Sequence, residues 1–494
     1  MGLSASALAL LAQHGLHAEA IALANGTQLQ LLSDVRVVSG KRLVAKATWQ
    51  GQNVFAKLFA GTQASRYAQR DQQGILALQA AQIATPTILA FDQVQHSDVR
   101  VMLIEAIEDS QNAEVFYTQA SPKARLHLLS QLVAIVAQQH QAGILQTDMY
   151  LKNFLVQSSG QNAIERIYSI DGDGIRKITA LSQHQALQNL STLLSKIDVI
   201  ELEQHLPTWL ALYTKTRGWS APPDVQHVHQ MIQKQRTEMA SRYADRKVFR
   251  QCTDVQVAQN SQGFFACSTS FLHLPVPATA EALDAVMQQF TLLKDGNTCT
   301  VASTSVAGQT IVIKRYNIKN LGHRFSRMWR PSRAAVSWAN AYRLQLLAVP
   351  TAKPIALLET RCAGLRGKAY FLSEYLDAPD LTEAFSGRLD GVSRAALVKA
   401  VVQLCYRLWR LQISHGDLKA SNIKVLAGEP VLIDLDSMQQ HRYAFFANRA
   451  HVKDLQRLMQ NWKDDTSLYN AFVKSFKVVY ADHTPLIQAK ILSN

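Results

Sequence analysis

Two lysines, Lys57 in NVFAKLF and Lys314 in QTIVIKRY, stand alone among β-branched and aromatic neighbours, and each is followed by the same order of polar residues. An aspartate leads an asparagine by five positions, Asp148 with Asn153 in TDMYLKN and Asp417 with Asn422 in GDLKASN. A second aspartate then ends an apolar run, Asp171 in RIYSID and Asp434 in PVLID. Phosphoryl transfer asks for this kind of set: a positioned triphosphate, a bound divalent cation and an oriented acceptor hydroxyl, with little covalent help from the protein. A strand lysine can hold the phosphates and a loop aspartate can accept the hydroxyl proton. The asparagine and the later aspartate offer the hard oxygen ligands that magnesium takes. Each match alone is commonplace, but the whole ordered set occurring twice in one chain points to two sites for ATP and Mg2+.

The elements that must carry these residues repeat as well. Each lysine falls on the outgoing strand of a predicted β-hairpin, after SGKRLVAKATWQG in one half and DGNTCTVASTSVAG in the other. A helical stretch follows, LALQAAQIATPTILA or YRLQLLAVPTAKPIALLE, and then an apolar strand ending in an acid, Glu105 or Glu374, where a hinge beside the nucleotide is expected. Long helices with apolar residues at helical spacing come next, LHLLSQLVAIVAQQHQAG and RAALVKAVVQLCYRLWRLQ. The segment around residues 206–250 is polar and holds Pro222 and Pro223, which puts the boundary near residue 240. The expected architecture is α+β: two tandem bilobal domains, residues 1–240 and 241–494, each with a small β-rich lobe and a larger helical lobe.

A chain of 494 residues, 48% hydrophobic and 18% charged, has ample core for two domains and no composition typical of disorder. The five cysteines (Cys252, Cys267, Cys299, Cys362, Cys405) show no metal-ligand spacing and no even framework for disulfides. MGLSASALALLAQHGLHAEA lacks the basic start of a secretory signal, and no run is long enough to span a membrane. The expected location is therefore cytoplasmic. The net charge of +14 favours anionic partners without choosing among them. From Lys314 to Arg343, basic residues alternate with Tyr316, Phe325, Trp329 and Trp338, a pattern suited to glycan phosphates or an anionic membrane face as well as to a plain basic cover. No DNA- or RNA-binding module accompanies the charge, so no nucleic-acid partner is expected.

HGDLKASN followed by LIDLD resembles the catalytic and metal-binding loops of the protein-kinase superfamily, and TDMYLKNFLV, approached by QHQAGI, resembles those of the lipopolysaccharide core (heptose/Kdo) kinases. RPSRAAVSWANAYRL followed by TAKP is similar to the helix region of the same group. The resemblance covers nearly the whole chain as two copies. It implies a kinase that phosphorylates a sugar hydroxyl of a lipid-linked core glycan, at the cytoplasmic face of the inner membrane. Asp148 and Asp417 would be catalytic; Asn153, Asp171, Asn422 and Asp434 would hold metal; Lys57, Asp71, Glu105, Lys314 and Glu374 would serve the nucleotide. Asp71 is the expected helix partner of Lys57, whereas Ser337 stands at that position in the second copy and leaves Lys314 without one. Gln146 replaces the usual histidine before the first loop. An atypical Ser/Thr protein kinase, or a scaffold with one inactive module, remain the alternatives.

Overall fold

The computed structural model describes residues 19–38, 40–160, 162–289, 292–296, 299–317, 331–362, 365–387 and 391–493. The first 18 residues and the centre of the basic segment, Lys319 to Arg330, lie outside the described residues. The chain divides into two compact units, Met1–Ile197 with Glu201–Gln235, and Asp198–Ile200 with Arg236–Asn494. The division falls inside a helix, Val225–Ala244, that follows Pro222 and Pro223. Each unit has the α+β, two-lobed arrangement expected from its pattern.

In the first unit six antiparallel strands run in the order Glu19–Ala22, Gln28–Val38, Arg42–Trp49, Gln52–Phe59, Arg100–Glu105, Ile88–Gln93. Leu23 bridges Val94, and Ala24 N–H donates to the Gln93 carbonyl (2.8 Å), so the first and last strands meet and the sheet closes on itself. Strand alternation sorts the side chains. Val54, Ala56 and Leu58 join Leu31, Leu43 and Leu103 inside the closed sheet, and Lys57 is left on the outer face. There Phe59, Met102 and Ile104 pack against Ala68 and Ile75 of helix Ala64–Ala80. That helix buries Ala64, Ala68, Asp71, Ile75 and Leu78, a stripe at helical spacing, which is why its one acid in the stripe is buried. The larger lobe centres on helix Pro122–Gln141, started by the Ser121 cap and Pro122, and packs Leu132 and Val136 against Leu190, Trp209 and Ile232.

The second unit has seven antiparallel strands in the order Val255–Asn260, Gly263–Ser268, Pro354–Cys362, Leu365–Glu374, Gln309–Tyr316, Cys299–Val306, Leu292–Gly296. Among the described residues this sheet does not close, and helix Ala280–Gln289 covers one face through Leu283 and Met287 against Ile311, Ile313 and Leu372. Helix Arg333–Leu346, capped by Ser332, lies on the other face, the one that carries Lys314. Helices Gly391–Arg410, Ala444–Met459 and Thr466–Val479 build the larger lobe.

Candidate active site

In the first unit the strand lysine and the helix acid meet. Lys57 Nζ donates to Asp71 Oδ2 at 2.8 Å and Oδ1 at 3.0 Å, with Asp71 fully buried and Lys57 8% exposed. Burial holds the Asp71 carboxyl above its ordinary value, and the Lys57 ammonium only partly offsets it. The same helix also lies very close to the Asp171 loop. A Cβ on Gly74 would sit 2.0 Å from the Gly172 carbonyl oxygen, and one on Gly172 would sit 2.1 Å from the Asp71 carbonyl oxygen. Two glycines thus let the helix touch the Asp171 loop backbone to backbone.

Short strands Ile144–Gln146 and Ile175–Lys177 pair, with Ile175 opposite Gln146, and so set the two acidic loops side by side. Thr147 N–H donates to the Gly174 carbonyl (2.8 Å), and Ile170 N–H to the Asn153 carbonyl (2.9 Å). Asn153 Nδ2 donates to the Asp148 carbonyl at 2.6 Å, which leaves the Asn153 side-chain oxygen available as a ligand. Asp171 adopts a left-handed backbone (φ 70°). The Asp148 side chain is exposed, and neither its carboxylate nor that of Asp171 has a hydrogen bond or ion pair among the described residues. No group of three or more His, Cys, Asp or Glu gathers there among those residues. A carboxylate and an amide oxygen, completed by phosphate oxygens, suit a hard divalent cation such as Mg2+. Asp173, two residues on, is clamped by Arg70 of the helix and, at 3.7 Å, by Arg42 of the strand after Gly40.

The second unit repeats the backbone plan with a different charge pattern. Asn422 Nδ2 again donates to the aspartate carbonyl, that of Asp417 (2.9 Å), and Asp434 again is left-handed (φ 62°). Ser337 is bonded to the Tyr316 hydroxyl (3.0 Å) and, among the described residues, is not a partner of Lys314, as expected. Lys314 is nonetheless not alone, which corrects the reading that it lacks a partner: Nζ donates to Asp434 Oδ1 (2.5 Å) and Asp436 Oδ2 (2.8 Å). Arg333 adds a bond to Asp436 (2.9 Å). Burial opposes ionisation of Asp436, but Lys314 and Arg333 outweigh it and hold its carboxyl down at about 2. Asp417 is likewise engaged, by Arg457 (2.5 Å), Lys419 (3.5 Å) and Asn422 (3.0 Å). Cations of the chain itself therefore sit on all three acids of the second site.

The hinge acids do not join the lysine clusters. Glu105 accepts from Thr87 N–H (3.2 Å) and Glu374 from Lys353 N–H (2.8 Å), so both carboxylates tie the hinge to the turn before the neighbouring strand. A cleft of about 490 Å³ beside the first hinge is lined by Glu105, Ala106, Glu108, Asn53 and Leu89, and shares only Glu105 with the expected set. The braces under the loops match across the copies. Gln146 Nε2 donates to the Ile170 carbonyl (3.1 Å) where His415 Nε2 meets the Ile433 carbonyl (3.0 Å), so glutamine does the work of histidine. Asp454 accepts from His415 N–H (2.7 Å) and Gly416 N–H (3.0 Å), the helix-to-loop tie that its position suggests.

Behind the first loop, Asn189 Nδ2 donates to the Gln146 carbonyl (2.8 Å). Its Oδ1 must then accept from His140 Nε2–H (3.0 Å), and His140 Nδ1 accepts from the Tyr213 hydroxyl (2.7 Å). This arrangement needs a neutral ring, and burial lowers the His140 value to about 4. The unfolded chain takes up that proton near 6.5 and the folded chain resists it, so stability is full above pH 6.5 and falls between there and pH 4, by about 3 kcal/mol for this group. His451, lowered by burial to about 3, acts in the same direction, and Asp454, raised by burial to about 6, acts in the opposite one. Urea midpoints should fall across this window, with a shallower fall in His140→Asn. A flat profile would contradict a buried neutral imidazole.

Comparison with known proteins adds the following. A family model described as "Lipopolysaccharide kinase (Kdo/WaaP) family" matches residues 45–213 and 285–480, one segment in each unit and together most of the chain. No curated protein sequence matches. Among solved structures, one described as "Structure of vaccinia related kinase 3" is similar at 13% identity, over 49% of this chain and 78% of that chain, with a TM-score of 0.26.

Proposed function

Since the chain belongs to the lipopolysaccharide kinase (Kdo/WaaP) family, with two tandem kinase-like domains and phosphotransferase activity, we propose that its first unit transfers the γ-phosphoryl group of ATP, with Mg2+, to a sugar hydroxyl of the lipopolysaccharide core. The acceptor would be a lipid-linked glycan met at the cytoplasmic face of the inner membrane. The observation that carries this reading is the contrast between the two sites. In the first, Lys57 is held by Asp71, and the Asp148 and Asp171 carboxylates are open. In the second, the corresponding acids Asp417 and Asp434 are paired with Arg457 and Lys314.

Lys57, held upright by Asp71, would bind the α and β phosphates, and Asn153 with Asp171 would hold the metal that neutralises charge on the transferring group. Asp148 would accept the acceptor hydroxyl proton as its oxygen attacks the γ-phosphorus and the bond to the β-phosphate oxygen breaks. The Asp148 side chain is exposed, which would leave it open to a bulky acceptor. The second unit would serve as the non-transferring partner module, because a metal there must first displace Lys314 from Asp434. The test is the phosphate content of core oligosaccharide, by mass spectrometry, from cells carrying the wild-type chain, Asp148→Asn or Asp417→Asn. One phosphate should be lost with Asp148→Asn and kept with Asp417→Asn. Unchanged phosphate in every case, deletion included, would overturn the acceptor assignment; loss with Asp417→Asn alone would reverse the division of labour.

A further inference from the structure

The second unit carries a surface that its own core does not explain. Tyr443, Phe445 and Phe446 are 59%, 70% and 57% exposed, and their rings gather, Phe445 with Phe446 at 5.4 Å and Tyr443 with Phe446 at 6.5 Å between centroids. Isolated exposed apolar residues are ordinary, but three adjoining aromatics left more than half in water are not. They open helix Ala444–Met459, whose only acid, Asp454, is buried and bonded to the loop backbone. The outward charges of the helix are thus all positive. Arg449, Lys453 and Arg457 are exposed and share a face with Phe446 at spacings of three, seven and eleven, and Arg442 lies over the Tyr443 ring at 5.7 Å.

We propose that this aromatic and basic surface seats the second unit on an anionic lipid bilayer. Aromatic rings with one wet edge settle at the depth of the headgroups, and neighbouring Lys and Arg side chains meet the headgroup phosphates. A protein partner would have to bring both an apolar pocket and a matching acidic stripe, whereas an anionic leaflet supplies both at once. The inference rests on the lipid-linked acceptor proposed above: a second unit that does no transfer would still hold the chain where that acceptor lies. The stripe ends at Arg457, which pairs with Asp417, so the seated face continues to the rim of the second site.

The purified full-length chain should sediment with vesicles of phosphatidylcholine mixed with phosphatidylglycerol, far less with phosphatidylcholine alone, and less as salt is raised. Phe445→Ser combined with Phe446→Ser should release most of the chain from the mixed vesicles. Arg449→Gln and Lys453→Gln should each weaken that binding about fivefold, the size expected for one basic side chain at a charged surface. Melting curves matching the wild type would show that these exposed positions leave the fold intact. Failure to bind the mixed vesicles, or binding that all these variants leave unchanged, would overturn the proposal, the latter by placing the contact elsewhere on a basic chain. Asp148→Asn should bind vesicles like the wild type, so a failed core-phosphate test with intact vesicle binding would remove the acceptor assignment and keep this surface.

Discussion

Asp148→Asn is expected to slow phosphoryl transfer by about 10²- to 10⁴-fold, the usual contribution of a positioned general base, with nucleotide affinity unchanged. The carboxylate it removes makes no bond among the described residues, and the contact that does hold the loop, Asn153 to the Asp148 carbonyl, belongs to the backbone and survives the substitution. A loss of rate without a loss of folding or nucleotide binding is therefore a clean reading of chemistry. Initial rates on purified core acceptor and titration with a fluorescent ATP analogue would measure the two separately. A variant as fast as the wild type would remove Asp148 from the role of base. The same change at Asp417 should leave transfer untouched, since that carboxylate already sits against Arg457 and Lys419.

Gly74→Ala is expected to reverse the usual sign of its class. In an ordinary helix interior alanine is better than glycine by roughly 0.5–1 kcal/mol. Here the added methyl would meet the Gly172 carbonyl oxygen at 2.0 Å and its carbon at 2.6 Å, and a backbone cannot turn aside as a side chain can. Overpacking of this kind costs about 1–3 kcal/mol. It also pushes away the helix that brings Asp71 to Lys57, so activity should fall with stability. Thermal melting and initial rate on one preparation would test both, and a stabilised, fully active Gly74→Ala would refute the close approach. The corresponding helix in the second unit shows the alternative solution. There Asn340 fills the gap and donates to the Leu435 (3.0 Å) and Met438 (2.8 Å) carbonyls.

How much of this was legible beforehand depends on whether a feature is local in the chain. The lysine strands, the paired Asp and Asn of each loop and the closing aspartates follow from alternation and short spacing, and the structure brings the loops of each set side by side. Asp71 was readable only through the family resemblance, which expects a helix carboxylate beside the strand lysine; the buried stripe of its helix shows why it faces the sheet. Pairings between distant segments left no such signal. Arg42 and Arg70 on Asp173, and Lys314 on Asp434 and Asp436, join residues about a hundred positions apart, and no periodicity marks them. Gly74 within RDQQGILAL and Gly172 after Asp171 were visible as glycines in places that disfavour or do not require them, the one hint that two backbones meet there. The hinge acids illustrate a further limit: their position was evident, but whether a carboxylate faces a ligand or ties down a turn is decided by rotamer and neighbours.

The closure of the first small sheet through Leu23 and Val94 has a bearing on assembly. Where its end strands meet, a sheet joined to itself leaves no row of unpaired N–H and C=O groups for another chain to extend. The second sheet ends instead in Val255–Asn260, whose residues are mostly exposed and, among the described residues, have a partner strand on one side only. That outer strand is therefore a place where strand addition can begin, and a lysine or proline placed on it is where such growth would be stopped.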